Sequence, residues 1–458
     1  MDNTINISQK MALVLVAAGI LSLVAATAGA APLLPKAAEG AFFWVAMLGL
    51  GLGSVWYAVA QYRHQPLGIK NNHNFSGGIT HRGALAWLLA LVLTGFYTLL
   101  YWYPELLGLG QNGGANTGLV HAFDPLSKLL KNQPASQWFV YGTLYTLLIA
   151  VLGFKFILKY RHNKYQVWRT VSVIFFQTIF AFLLPEFLLK LNLPYNDFKN
   201  AFPLNYYFFF DWHLNELLKS GNIGIFMLVW GVALTLIVTP VLTYFYGKRW
   251  YCSWVCGCGG LAETAGDSFR HLSDKSVSSW KLERWLVHTI LGLVLLTTAA
   301  VLYTYFTGNS QLLGFIDSYV LREWYGFGVG AAFSGVVGVG FYPILGSRVW
   351  CRFGCPMAAY LGVLQKYFSR FRITTNGAQC ISCGNCSTYC EMGIDVKSYA
   401  QKGQNIVRAS CVGCGICSAV CPRGVLKLEN GKNTDYQSRT EYSPISLGND
   451  GITVKNIG

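Results

Sequence analysis

Hydrophobic residues are gathered along this chain into long blocks, and polar and charged residues fall between the blocks. The hydrocarbon core of a bilayer is ~30 Å thick and takes about 20 apolar residues to cross as a helix. Each block therefore predicts a membrane-spanning helix. We expect the first to stay on the chain, because its apolar run is too long for a signal peptide and another block follows at once. About eight blocks have this length: 11–31, 41–61, 83–103, 138–158, 168–190, 223–246, 286–307 and 325–345.

The composition supports a membrane domain with a polar domain attached. Hydrophobic residues make up 53% of the 458 residues, charged residues make up 12%, and the mean hydropathy is +0.38. A soluble domain has about 25% charged residues. We predict a polytopic α-helical membrane domain over residues 1–346, in contact with lipid. The net charge of +15 does not indicate nucleic acid, because Lys and Arg sit mainly at the ends of the apolar blocks.

The basic residues also predict an orientation. The loops 62–82, 159–169 and 247–285 are basic, whereas the loops 32–40, 104–137, 191–222 and 308–324 hold fewer cations and several acids. The positive-inside rule places the basic loops in the cytoplasm, and an even number of spans then places both termini there. All 13 cysteines lie between Cys252 and Cys421, on that same side, where thiols stay reduced.

A cysteine-rich region over residues 371–428 predicts a small α+β domain with two [4Fe–4S] clusters. It contains two C-x₂-C-x₂-C-x₃-C runs in tandem, and a proline follows the last cysteine. In the bacterial ferredoxin pattern the fourth cysteine of each run ligates the cluster of the other run. Zinc more often uses separated C-x₂-C pairs, and disulfides are disfavoured in the cytoplasm. We assign Cys380, Cys383, Cys386 and Cys421 to one cluster, and Cys411, Cys414, Cys417 and Cys390 to the other.

Two features of this region bear on the clusters themselves. Gly384, Gly413 and Gly415 are predicted to supply the backbone torsions that such a tight wrap needs. Cys390 is followed by Glu391 where the pattern has proline, and a carboxylate near a cluster would make its reduction harder. The polar tail, residues 429–458, has no chemistry that we can assign.

The remaining five cysteines lie in and beside a repeated motif after two of the predicted spans. Each copy reads Gly-x-Arg-x-aromatic-Cys-x₃-Cys and begins at Gly247 or Gly346; we take 347–370 as a membrane-surface segment and linker. On a helix an i, i+4 pair would put both sulfurs on one face, and the arginine could extend to lipid head groups. Three interpretations stay open: a third metal or cluster site, a redox-active dithiol, or a structural role. The candidate ligands are Cys252, Cys256, Cys351 and Cys355, with Cys258 as a surplus or substitute ligand.

At this point the chain resembles a family, the polytopic membrane ferredoxins of the NosR, NapH and CcoG type. Cys351-x₃-Cys355-Pro356 matches their motif in full, whereas Gly257 replaces the proline in the first copy. The resemblance is best over residues 240–425, and the chain has no extracytoplasmic flavin domain of the NosR kind that we can recognise. It implies a bacterial inner-membrane protein that moves electrons between the cytoplasm or quinone pool and a partner, or supports metalloenzyme maturation.

The clusters need a further carrier to pass electrons across the bilayer. Of the eight histidines only His288 lies within a predicted span, so we do not expect a bis-histidine haem in this chain. A quinone, a flavin- or haem-bearing partner, or the membrane-surface cysteines are the alternatives. Glu186, with Asp211 and His213, is either a hydrated interfacial group or a proton-exchanging group at a quinone site.

Three functions are compatible with this sequence. The first is an electron-transfer subunit of an oxidoreductase complex, which we favour over a self-contained enzyme. The second is an assembly factor that reduces a metal for a respiratory metalloenzyme, and the third is a redox sensor.

Overall fold

The computed structural model describes residues 6–27, 36–63, 80–111, 114–312, 314, 316–376, 379–431, 445–448 and 451–454. Part of the predicted loop 62–82, with Lys70, and most of the predicted tail lie outside these residues. Helices dominate from Ile7 to Phe368, and the polar region that follows is a small α+β unit, so the predicted fold class is confirmed. The helices, in order, are α1 (Ile7–Thr27), α2 (Lys36–Tyr62), α3 (Ala84–Trp102), α4 (Gly118–Ala122), α5 (Asp124–Lys131), α6 (Gln137–Lys159), α7 (Lys164–Phe175), α8 (Leu184–Lys190), α9 (Asp211–Lys219), α10 (Gly221–Ala233), α11 (Thr239–Tyr246), α12 (Arg249–Cys252), α13 (Gly257–Thr264), α14 (Val277–Thr307), α15 (Ser318–Tyr325), α16 (Tyr342–Leu345), α17 (Pro356–Phe368), α18 (Asn385–Thr388), α19 (Val396–Gln401) and α20 (Ile416–Ala419).

Seven helical stretches of the described residues are long and apolar enough to cross a membrane. Two of them are continuous only because a π-helical segment joins two α-helices: Phe176–Leu183 joins α7 to α8, and Leu234–Val238 joins α10 to α11. The seven stretches are Ile7–Thr27, Gly40–Tyr62, Ala84–Trp102, Gln137–Lys159, Lys164–Lys190, Gly221–Tyr246 and Val277–Thr307.

The eighth predicted span, 325–345, is not among them. It is a broken helix, in which α15 continues as a π-helical segment, Gly326–Val337, and α16 follows after a turn. Its glycines let aromatic rings pack against the backbone, as Tyr206 does at Gly330 and Tyr97 does at Gly335. The segment still runs from one face of the helical domain to the other. Arg322 at its start pairs with Asp211, whereas Gly346 just beyond its end packs against Ser273.

Where they are described, the basic loops lie on the face that carries the ferredoxin domain. Tyr165 and Lys248 hydrogen-bond to that domain, and Arg82 donates to the carbonyl oxygens of Leu272 and Ile344 at the same face. The ends of the spans that the sequence assigns to the other side meet at the opposite face, where Tyr305 donates to Asn215.

The loop between α8 and α9 does not stay at that opposite face. Trp230 lies ~14 Å along the span that begins at Gly221, and its indole N–H donates to the carbonyl oxygen of Phe198 at 2.8 Å. Deeper still, the Ala201 N–H donates to the hydroxyl of Tyr251 at 3.4 Å. The aromatic run of this loop, which includes Tyr206, Tyr207 and Trp212, predicts an interfacial belt when the sequence is taken alone. That is wrong for Phe208 and Phe210, which are 4% and 6% exposed, because the loop folds into the helical domain.

The ferredoxin domain begins with strand β3 (Phe371–Thr375) and closes with β4 (Leu426–Asn430). The other strands are β1 (Gln311–Leu312), β2 (Ile316–Asp317), β5 (Ile445–Gly448) and β6 (Gly451–Val454). Antiparallel pairing sets Phe371 opposite Asn430 and Thr375 opposite Leu426, and all five residues of β3 are buried. The two strands therefore bring the ends of the domain together, and both cysteine runs lie between them.

Candidate iron–sulfur sites

Each cysteine run of the ferredoxin domain forms a tight loop that ends in a short helix. Gly384 (φ +77°) precedes α18 and Gly415 (φ +74°) precedes α20, and Gly413 also has a positive φ of +62°. Residues with a Cβ rarely adopt these torsions, which cost glycine little. The prediction that these three glycines supply the torsions of the wrap is confirmed.

Two cavities lie inside the domain, and four cysteines line each of them. Cys380, Cys383, Cys386 and Cys421 line one; Cys390, Cys411, Cys414 and Cys417 line the other. The fourth cysteine of each run thus lies with the first three of the other run, as in the predicted assignment. Four thiol groups around one cavity are the donor set of a [4Fe–4S] cluster, so the residues fit the group, although the ligand assignment itself remains a prediction.

The two sets differ in their access to solvent. The first, which we call the exposed set, contains the exposed Cys383, and Cys380 and Cys421 are half-buried. The second, which we call the docked set, has Cys411 and Cys417 each 7% exposed. The docked set lies on the side of the domain that packs against the membrane helices.

Side chains of the helical domain hold the loop of the docked set through its carbonyl groups. Gln365 is central, because its amide donates to two carbonyls and its oxygen accepts the N–H of Lys248 at 2.7 Å. A hydrogen bond of this kind contributes about 0.5–1.5 kcal/mol net, so the series fixes the loop on the membrane domain. The bonds are Gln365 Nε2 to Arg408 O and to Cys411 O (both 2.8 Å), Lys248 Nζ to Ala409 O (3.2 Å), Ser253 Oγ to Val412 O (2.8 Å), Tyr165 OH to Gly413 O (2.8 Å) and Gln166 Nε2 to Cys414 O (2.9 Å).

The two Gly-x-Arg-x-aromatic-Cys-x₃-Cys motifs have the same backbone structure. In the first the Cys256 N–H donates to the carbonyl of Tyr251 at 2.8 Å, and in the second the Cys355 N–H donates to that of Trp350 at 2.9 Å. Cys256 is then the N-cap of α13, and Cys355 is the N-cap of α17. The expectation that each pair shares one face of one helix is therefore wrong, because the second cysteine starts a new helix.

Cys252, Cys256, Cys351 and Cys355, which we call the membrane set, are 6–8% exposed and belong to one buried core. The fold thus joins two pairs that lie about a hundred residues apart in the sequence. Cys258 is half-buried beside them, and its thiol is hydrogen-bonded to Cys256.

The membrane set, like the two ferredoxin sets, is not drawn together around a single ion among the described residues. Among the described residues no three Cys, His, Asp or Glu side chains are close enough to ligate a single metal ion, and this holds for all three cysteine sets. A tetrahedral zinc site would hold its sulfurs roughly 3.8 Å from one another, since each lies ~2.3 Å from the metal. By this criterion the membrane set is not arranged as a zinc site.

Burial changes the acidity of these thiols. It raises the pKa of Cys252 to about 12 and also raises the pKa of Cys351 and Cys355. The hydrogen bond from Cys258 lowers the pKa of Cys256. A redox-active dithiol needs an accessible thiolate of low pKa, so the burial of these cysteines argues against that interpretation. Thiols of raised pKa can still lose their protons to a metal that binds them.

The arginine of the second motif leads into a buried ion-pair network that sequence reasoning missed. Arg348 is 1% exposed; its guanidinium bonds to Glu263 (2.7 Å) and to Glu391 (2.9 Å), and Nη1 lies 3.6 Å from the Cys351 sulfur. The expectation that this arginine extends to lipid is wrong. Arg249, its counterpart, also turns away from lipid and stacks on Phe371 of the ferredoxin domain, 4.6 Å from the ring centre.

Glu391 joins this network from the ferredoxin domain. It is 1% exposed, accepts a hydrogen bond from Arg270 at 2.6 Å, and forms an ion pair with Arg348. Burial alone would raise the pKa of Glu391, but the two arginines outweigh burial and the pKa lies below its ordinary value. The carboxylate is therefore ionised and compensated, so the expectation that an uncompensated charge hinders reduction has to be revised.

Three further residues complete the network. Arg169 pairs with Glu263, and Asp267 binds both Arg270 (2.7 Å) and Lys159 (2.5 Å). These ion pairs outweigh burial and lower the pKa of Asp267 to about 2. The network thus contains four basic and three acidic side chains, and Arg348 connects it to the thiol of Cys351. The one signal that the sequence offered was the presence of several charged residues near the repeated cysteine motif of a chain with only 12% charged residues.

Glu186, Asp211 and His213 are not brought together. Glu186 is 7% exposed and pairs with Lys131 at 2.9 Å, Asp211 pairs with Arg322, and the His213 ring contacts the carbonyl oxygen of Phe208. Neither a hydrated Glu186 nor a shared site of these three residues agrees with the structure.

Comparisons with known proteins agree with the cysteine-rich parts of the chain. A 4Fe-4S dicluster domain matches residues 379–426, and a 4Fe-4S binding domain matches both 228–276 and 327–375, which contain the two motifs of the membrane set. The protein named "Putative electron transport protein YccM" of Escherichia coli (strain K12) is 27% identical over 182 residues. That match covers 38% of this chain and only half of the length of that relative. No solved structure matches.

The predicted resemblance to polytopic membrane ferredoxins is thereby confirmed in its two main parts, the cysteine-rich domains and the helical region. The chain is a multi-pass helical membrane protein that carries ferredoxin-type 4Fe–4S domains.

Proposed function

We propose that this protein is a membrane-bound iron–sulfur electron carrier in which the exposed set, the docked set and the membrane set hold successive centres. The clusters, when bound, supply one-electron carriers. The chain's own contribution is to arrange its cysteines from an accessible surface to the interior of the helical domain. Electrons would pass between a soluble donor or the quinone pool and a partner redox protein that bears flavin or haem.

One observation is the main support for this order of the three cysteine sets. Cys383 is exposed, whereas the docked set sits on the membrane helices, and Arg348 contacts both Glu391, next to Cys390 of the docked set, and Cys351 of the membrane set. A single buried guanidinium thus lies between two cysteine sets. An exposed first site suits exchange with a soluble partner, and the buried sites suit transfer within the chain.

The membrane set is proposed to hold a third [4Fe–4S] centre, with Cys252, Cys256, Cys351 and Cys355 as ligands. All four are buried in one core, Cys256 and Cys355 lie at helix N-termini that favour thiolates, and a 4Fe-4S binding domain matches each pair. Cys258 would be a neighbour that hydrogen-bonds to a ligand, rather than a ligand.

We further propose that all three centres lie on or near the cytoplasmic side of a bacterial inner membrane. The basic loops share one face with the ferredoxin domain, as the positive-inside rule requires of a cytoplasmic face. The broken eighth segment gives the chain an even number of passages, so both termini would lie on that side.

The burial of the membrane set favours electron transfer over metal reduction for another enzyme. A site that reduces an incoming ion has to be reached by that ion, and the four cysteines are 6–8% exposed. We therefore place the assembly-factor hypothesis second.

Iron and sulfide content with EPR spectroscopy tests the proposal on the full chain, purified without oxygen. The wild type is expected to hold about 12 iron atoms and the Cys351→Ser/Cys355→Ser variant about eight, with the signals of the ferredoxin clusters retained. A matched Cys258→Ser variant should keep all of its iron. Equal iron contents of about eight in the wild type and the double variant would overturn the third centre.

A further inference from the structure

A pocket of about 550 Å³ lies where the ferredoxin domain meets helices α14 and α17. One face of α14, from Trp280 to His288, forms one wall, and α17 forms the other. The loop 407–410 of the ferredoxin domain closes the top. Cys351 of the membrane set also lines the pocket.

The charge of this pocket is strongly positive. Five cations line it, and Glu283 is the one carboxylate among the described residues that do. Glu283 is already neutralised, since it accepts a hydrogen bond from Arg352 Nε at 2.7 Å. The pocket therefore suits an anion. The cations are Lys248, Arg284, Arg352, Lys366 and Arg408.

Arg352 gives an independent reason to expect a ligand. Its side chain is about 4% exposed, Nε donates to Glu283, and Nη1 donates to the carbonyl oxygen of Asp274 at 2.6 Å. Its third nitrogen, Nη2, is buried and has no hydrogen-bond partner. A buried unsatisfied donor is rare, because it gives up water without a replacement. An anionic oxygen in the pocket would satisfy it.

The position of the pocket indicates where such an anion comes from. Val287 and His288 belong to a membrane-spanning helix, so the lower wall of the pocket continues into the apolar layer. Tyr367, which lines the pocket, is 67% exposed, and Phe368 and Trp285, the chain neighbours of lining residues, are 64% and 77% exposed, as is usual for aromatic residues at the depth of lipid head groups.

We propose that this pocket binds a phosphate-bearing anion, and that its natural source is the head group of an anionic phospholipid. The guanidinium of Arg352 meets the phosphate from inside, and Lys366 and Arg408 meet it from the outer wall. Trp280 stacks with Arg284 at 5.2 Å and with Arg408 at 4.8 Å, which orders both cations. The phosphate then lies beside Cys351, between the two domains. This site is independent of the proposed electron-transfer function.

Lipid binding to the full-length protein in detergent tests the proposal. We expect phosphatidylglycerol to remain bound in native mass spectrometry and to raise the melting temperature, whereas phosphatidylcholine does neither. A Lys366→Gln/Arg408→Gln variant should bind phosphatidylglycerol roughly thirtyfold more weakly, since each basic residue near an anionic lipid contributes about five- to sixfold to the affinity. Lys281→Gln is the matched control, because Lys281 is exposed on the same helix α14 and does not line the pocket.

Each outcome has a defined meaning. Equal binding of the two lipids, or equal affinity of the double variant and the control, would overturn the proposal. Competition by millimolar inorganic phosphate would support the phosphate site and indicate that free phosphate also occupies it. Iron content and elution volume establish that the variants are folded, and Arg284→Gln provides a second variant at the pocket mouth if the double variant is not.

Discussion

Replacement of Glu391 by glutamine should loosen the ferredoxin domain from the membrane helices without removing a cysteine. Glu391 accepts a charge-assisted hydrogen bond from Arg270 at 2.6 Å and forms an ion pair with Arg348 at 2.9 Å. Bonds of this kind contribute about 1.5–3 kcal/mol each, and loss of one partner of a buried ion pair costs about 3–5 kcal/mol. Glutamine keeps the shape but not the charge, so we expect a loss of about 3 kcal/mol. That corresponds to roughly a hundredfold change in the docking equilibrium.

Limited proteolysis of the full chain measures this change. The connection between α17 and β3 should be cleaved much faster in Glu391→Gln than in the wild type, while the iron content stays the same. Asp395→Asn is the matched control, because Asp395 is an exposed carboxylate of the same domain and is bonded to Ser387. Equal cleavage of Glu391→Gln and the wild type would refute the view that this ion-pair network docks the domain. Glu391→Pro, which restores the usual ferredoxin pattern, should likewise keep the iron and loosen the domain.

Three further predictions address other parts of the same interface. Gln365→Leu leaves two carbonyls and one N–H without partners, at about 1–3 kcal/mol each, and should increase cleavage at the same connection, whereas Gln401→Leu, at an exposed position, should not. Gly346→Ala should lower the melting temperature, because Gly346 has φ +95° and a Cβ would come within 2.5 Å of Ser273 Oγ; normal stability of this variant would contradict the geometry. The ion pairs of Asp267 lower its pKa to about 2, so the stability they add is present above pH ~4 and is lost as the pH falls towards 2. An Asp267→Asn variant should therefore lose less stability between these two pH values, as measured by thermal unfolding. The same loss in the variant and the wild type would count against these pairs.

The cysteine spacing and the hydropathy were sufficient to predict the two main parts of the fold, the ferredoxin domain and the helical membrane domain. An x₂ spacing is a local constraint, and the exchange of the fourth cysteine belongs to the ferredoxin pattern, so the four cysteines that line each cavity could be named from the sequence. Long apolar blocks are equally local, and seven of the eight appear among the described residues as candidate spans, two of them with a π-helical segment. The eighth was predicted as a regular helix because hydropathy does not register the glycines that break it.

The sequence could not predict the contacts between distant segments. Nothing in the neighbourhood of Glu263 or Glu391 indicates that both bind Arg348, since those contacts depend on how helices and domain pack. The inward-folded loop was missed for a related reason. Its aromatic residues are equally compatible with a lipid interface and with a packed interior, and only the close approach of Phe208 to Gly231 decides between them.

The two halves of the membrane set have a consequence for the biosynthesis of the protein. Cys252 and Cys256 leave the ribosome about a hundred residues before Cys351 and Cys355, and α14 and the broken eighth segment lie between them. Closing a long chain segment is slow compared with forming a local loop. The ferredoxin cysteines come from one short stretch of the chain, 380–421, whereas the buried group of four exists only after the last membrane segments have packed. If the proposed third centre is present, iron would enter that group only after this packing, and its loading would then report correct membrane insertion.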